Sequence, residues 1–92
     1  LFERFGSRWA LLVLLTLQEH EVLRFSELTR SVPGGISERM LAATVRDLEQ
    51  AGLVARTLYP EVPPRVEYRL TPKGESLMPL LRQLLEWAEK NG

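Results

Sequence analysis

The sequence predicts a mainly α fold with a small β hairpin, an α+β domain whose elements run helix, short strand, helix, helix, strand, strand, helix. Three observations predict it. Capping residues and a glycine stop punctuate the apolar-patterned segments that read as helices. A proline-glycine-glycine turn parts the second helix from the third, and two apolar runs flank a proline-rich tip. A chain of 92 residues, 45% hydrophobic and 26% charged, is the size of one small domain spanning 1–92. So short a chain buries roughly 60–70% of its unfolded surface, so its stability is thin and self-association is a natural way to bury more.

Each element has a local reason. Ser7 is suited to cap a first helix whose interior, residues 9–17, is apolar nearly all round until Gln18-Glu19-His20-Glu21 ends it. A helix without a polar face lies at the centre of the core or is shared between the core and a partner. Val22-Leu23-Arg24-Phe25 alternates as a short edge strand, and Ser26 is the expected cap of a second helix over 27–32. Pro33-Gly34-Gly35 forces a tight turn. Over the third helix, 37–51, Ser37 caps, Glu38 sits at the positive end of the dipole, Ile36 staples onto Leu41, and Gly52 stops the helix. The segment 53–70 is a two-stranded hairpin. In its second strand Val66, Tyr68 and Leu70 share one face and Arg65, Glu67 and Arg69 the other. Three prolines in Tyr59-Pro60-Glu61-Val62-Pro63-Pro64 stiffen the tip and keep it out of the ladder. Thr71-Pro72 opens a last helix to about Lys90, with Pro79 bending it. This is the order of a winged helix-turn-helix.

Catalysis has little to work with. There is no cysteine, so no disulfide, thiol nucleophile or thiolate metal site. His20 is the single histidine, and its neighbours Glu19 and Glu21 point to other faces, which suggests neither a metal site nor a catalytic triad. Gly34-Gly35 is too short for a phosphate loop and no Lys-Ser/Thr pair follows it. No enzyme, metal or cofactor is expected. The longest apolar run, residues 9–15, is far short of the ~20 a membrane span needs, and no cleavage-site pattern accompanies it. A cytoplasmic protein without membrane contact or targeting segment is therefore expected.

Twelve basic and twelve acidic residues balance to zero, so the distribution of charge matters and the total does not. Ten of the twelve basic residues are arginine, the side chain that forks onto phosphates and guanine edges. At about 100° per residue, Leu41, Val45, Leu48 and Gly52 cluster on one side of the third helix, while Arg39, Ala43, Arg46 and Gln50 line the other. An ordinary solvated face would look similar; the surrounding topology favours a helix lying in a major groove. In that fold Ser26 and Ser37 offer helix N-terminal N–H groups to phosphates, and Arg65 is the best-placed cation on the wing. Double-stranded DNA is the expected partner.

A second constellation lies at the chain's two ends. Leu77, Leu80, Leu81, Leu84, Leu85 and Ala88 form an apolar band with Trp87 beside it, broader than one small core covers. Packing it against the first helix of a second copy, at Trp9, Leu11 and Leu14, buries both surfaces. A homodimer joined through its terminal helices is expected.

The residues that carry these features resemble the HxlR-type family of winged-helix regulators, relatives of the MarR group. The resemblance covers nearly the whole chain: Phe5-Gly6-Ser7-Arg8-Trp9, Arg24-Phe25-Ser26-Glu27-Leu28, Pro33-Gly34-Gly35-Ile36-Ser37-Glu38-Arg39-Met40-Leu41, Leu48-Glu49-Gln50-Ala51-Gly52-Leu53-Val54, the tyrosine-proline wing through Tyr68, and Leu70-Thr71-Pro72-Lys73-Gly74. It implies a homodimer with two recognition helices on a near-palindromic operator. Where the family often has Met-Leu-Ser-Gln-Arg-Leu, this chain has Met40-Leu41-Ala42-Ala43-Thr44-Val45, so small apolar groups replace polar ones and the expected base readout at Ala42 and Ala43 is either reduced or shifted toward thymine methyls. Several relatives sense oxidants or electrophiles through a cysteine that residues 1–92 lack. The expectation is a dimeric, sequence-specific DNA-binding transcription regulator, with a small-molecule effector left open. The rival reading is a winged-helix protein–protein module in which the arginines only decorate the surface; the steep salt dependence of DNA binding separates the two.

Overall fold

The computed structural model describes residues 8–92. The elements are α1 (Arg8–His20), β1 (Val22–Arg24), α2 (Phe25–Ser31), α3 (Glu38–Gln50), β2 (Val54–Tyr59), β3 (Arg65–Leu70) and α4 (Pro72–Asn91). Their order is the expected one; Ser7, the expected cap of α1, lies outside the described residues. Glu21 takes a left-handed conformation, φ 67°, and ends α1 in place of a glycine.

The sheet has three strands, one more than the hairpin, in the order β1-β3-β2 and antiparallel throughout. Leu23 faces Tyr68 across one ladder and Arg56 faces Tyr68 across the other. Residues opposite one another share a face, so the inner side of the sheet carries Leu23, Tyr68, Leu70, Val54 and, unexpectedly, Arg56. α1 lies at the centre of the core: Ala10, Val13, Leu14 and Leu17 are buried against Leu28, Leu41, Val45, Leu48, Val54, Leu70 and Met78. The apolar stretch that had no polar face is thus mostly enclosed by its own chain. Leu11, Leu12 and Leu15 remain half-buried.

Two sequence expectations need correction. Ser26 does not cap α2. Strand pairing of Arg24 with Glu67 holds Arg24 extended up to the helix, which starts at Phe25, and the Glu27 carboxylate closes the first turn by accepting from the Arg24 amide at 2.8 Å. Leu14, expected in a dimer interface, is 1% exposed inside the protomer and has no surface left to offer.

Candidate nucleic-acid interface

The third helix is held by its apolar stripe. Ile36 and Leu41 are both buried on either side of the Ser37 cap, as a staple requires, and Ser37 Oγ accepts from the Met40 amide at 3.1 Å. Leu41, Thr44, Val45 and Leu48 face inward, and the Thr44 hydroxyl is satisfied by donating to the Met40 carbonyl at 2.8 Å. The turn ahead of the helix depends on Gly34. Its φ is +99°, and a Cβ there would lie 3.2 Å from Cη2 of Trp9. Trp9, half-buried, therefore supports the helix-turn-helix from within the protomer.

The far end of α3 is fastened to α4 by a segment whose purpose the sequence alone did not disclose. Thr71 Oγ1 donates to the Gly52 carbonyl at 2.6 Å while accepting from the Gly74 amide at 3.0 Å, and Lys73 Nζ donates to the Ala51 carbonyl at 3.1 Å. The lysine thus satisfies a carbonyl at the negative end of α3. Gly74 permits the approach, since a Cβ there would collide with the Leu53 carbonyl oxygen. The Thr-Pro-Lys-Gly motif clamps α3 to α4.

With both ends fixed, Arg39, Ala43, Arg46 and Gln50 all stand exposed on one stripe, and Ala42 is half-buried beside it. The charge of α3 does not itself favour DNA, because two arginines stand against three acids, Glu38, Asp47 and Glu49. Beside the helix lies a concavity of about 330 Å³ between α3 and the inner face of the sheet, lined by Phe25, Ala42, Val45, Arg46, Glu49, Arg56 and Tyr68. Arg56 stands on the first strand of the hairpin. Tertiary structure brings it to the same hollow as Arg46.

The wing differs from expectation at its arginine. Arg65 sits at the tip as predicted, opposite Tyr59 in the last rung of the ladder. Its guanidinium lies 4.2 Å from the centre of the Tyr59 ring, 3.1 Å from Glu61 and 3.6 Å from Glu67. The cation expected on the wing thus also pairs, within its own protomer, with Glu61 of the tip. Arg65 braces the loop 60–64, whose residues are all exposed, with Val62 fully so.

The second constellation is on α4. Leu77 and Leu81 pack half-buried against the core and, with Leu11, Leu80 and Lys73, line an apolar groove of about 520 Å³ between α1, the end of α3 and α4. Arg82 Nε donates to Gln18 Oε1 at 2.8 Å. Past that tie every residue of α4 is exposed, including Leu84 at 60%, Leu85 at 37%, Trp87 at 63%, and Ala88. Among the described residues no cluster of histidine and acids could hold a metal ion, and no helix is long and apolar enough to cross a membrane.

Comparison with known proteins gives one consistent answer. An uncharacterized HTH-type transcriptional regulator of Methanothermobacter thermautotrophicus is 53% identical over 87 residues, covering 95% of this chain and 65% of its own length. The Escherichia coli HTH-type transcriptional regulator YtfH, also uncharacterized, is 48% identical over 85 residues, 92% of this chain and 66% of its own. The chain thus spans about two thirds of the length of these curated relatives. Among solved structures, the reduced form of the transcriptional regulator YodB from B. subtilis superposes with a TM-score of 0.84 at 37% identity, covering 97% of this chain and 85% of that one. These relatives are named as transcriptional regulators. The family model for HxlR-like helix-turn-helix proteins matches residues 4–92, and the chain belongs to that family.

Proposed function

We propose that this chain is a sequence-specific, DNA-binding transcriptional regulator that acts as a homodimer on a near-palindromic operator. The observation that carries the reading is the α3 stripe: Arg39, Ala43, Arg46 and Gln50 are all exposed on a helix whose opposite face is locked in the core. α3 enters the major groove, where Arg46 forks onto a guanine, Ala43 and the neighbouring Ala42 meet thymine methyls, and Arg39 and Gln50 bind phosphate or base edges. The N-terminus of α3 at Ser37 faces the backbone. Ser26, in the first turn of α2, contributes its exposed hydroxyl. The braced wing lies along the duplex.

The second protomer docks on Leu11, Leu77, Leu81, Leu84, Leu85 and Ala88. Support comes from the distal half of α4, where Leu84 is 60%, Leu85 37% and Trp87 63% exposed. The relatives are named as transcriptional regulators, which agrees with this reading.

Selection of bound sequences from a pool of random duplexes tests binding and symmetry together. The expected result is an inverted repeat whose affinity falls steeply as salt rises. A pool with no enrichment, or binding indifferent to salt, overturns the reading and favours a protein–protein module.

A further inference from the structure

We propose that the hollow between α3 and the sheet is a phosphate-binding notch in which Arg56 grips the DNA backbone beside the bases that α3 reads. The inference rests on the DNA-binding reading and adds a contact that the stripe does not contain. Arg56 occupies an improbable place. It stands opposite Tyr68 on the inner face of the sheet, between Val54 and Leu58, where alternation would set an apolar side chain. A charge on a core-facing register is costly unless it reaches water or a partner. Arg56 is exposed, and among the described residues it makes no ion pair within 4.0 Å, in contrast to Arg65 and Arg69 on the neighbouring strand.

The notch brings a second guanidinium to the same hollow. Arg46 stands on the opposite wall, Ala42 leaves room for close approach, and Phe25 and Tyr68 form an apolar floor. Arg46 lies on the side of the stripe nearer this hollow, so an Arg56 contact falls on the backbone next to the base Arg46 reads. Because α3 carries more acid than base, further backbone attraction has to come from outside the helix, and Arg56 is the arginine beyond α3 that lines the hollow. Glu49 also lines it, and its carboxylate repels a phosphate there. Its neutralisation is therefore expected to strengthen binding.

The test compares the unmodified protein with Arg56→Gln, Arg56→Lys and Glu49→Gln on two duplexes, the sequence enriched by selection and a scrambled duplex of the same length, across a salt series. For Arg56→Gln the slope of log affinity against log salt should fall by about 0.9 per protomer on both duplexes, with base preference unchanged. Arg56→Lys should restore the slope, and Glu49→Gln should raise affinity on both. An unchanged slope in Arg56→Gln, while the unmodified protein binds with steep salt dependence, overturns the notch and leaves the DNA-binding reading standing. A change in base preference in place of the slope overturns it as well. If the unmodified protein shows no salt-dependent binding to either duplex, the parent reading fails and the notch falls with it.

Discussion

At the scale of single residues, the proposed roles of the two arginines facing the hollow are separable by mutation. Arg46→Ala should cost about 1–3 kcal/mol on the preferred duplex and relax one base position, as expected of a side chain that reads a base; measuring affinity on a panel of single-base variants checks it. Equal weakening on every duplex would make Arg46 a phosphate contact. Gly74 tests the clamp on α3. Its hydrogen occupies the only space between the start of α4 and the Leu53 carbonyl, so Gly74→Ala must push the two apart. A loss of about 1–3 kcal/mol follows, which in a chain of this size lowers the thermal midpoint by at least ~4 °C per kcal/mol. A midpoint within a degree of the unmodified protein would show that the approach is not tight. Gly74 stood in the sequence without a reason, because the oxygen it must avoid is 21 positions earlier in the chain.

At the scale of elements, the wing and the recognition helix were legible to different degrees. The start and stop of α3 are written in adjacent residues, Ile36-Ser37-Glu38 and Ala51-Gly52, and its two faces follow from helical periodicity, so the structure agrees at every point. The hairpin was legible as a hairpin, but its tip was not. Which carboxylate Arg65 meets depends on how loop 60–64 closes, and closure sets Glu61 against it. The loop's exposure makes a prediction about the element as a whole. Replacing Pro63 and Pro64 with glycine should weaken DNA binding by raising the conformational entropy lost on docking, while the fold loses only the unfolded-state entropy term, about 0.4–1 kcal/mol per replacement, because neither proline is buried. A drop in the midpoint with binding unchanged would assign the prolines to the fold.

For the whole molecule the distal half of α4 is decisive. The protomer is elongated, 50 Å in its longest dimension against 27 and 23 Å, and the end of α4 carries Leu84, Leu85 and Trp87 past the last tie to α1. Leu84 is 60% exposed, so Leu84→Glu should leave the protomer's circular dichroism intact. Across a dimer interface the same change buries an unpaired charge, and light scattering should show dissociation, with loss of the avidity gained by binding two half-sites. In the intact dimer the two α3 helices should sit about 34–36 Å apart, or ~10 base pairs, to enter the groove on one side of the duplex. A monomer in the unmodified protein at micromolar concentration would end the proposal.

The sequence by itself determined the element order, the ends of α3 and α4, the outward stripe and the apolar band, because caps, stops and periodicity act within a turn or two of the chain. Tertiary structure alone decided that β1 joins the hairpin as a third strand, that Leu14 is enclosed, that Trp9 rests on Gly34, that Arg65 is held by the tip, and that Arg56 comes to face Arg46. Each of these depends on which surfaces meet when distant segments pack. A polar or apolar side chain has the same pattern in sequence whether its neighbour across the fold covers it or leaves it open, and only the packed arrangement chooses between the two.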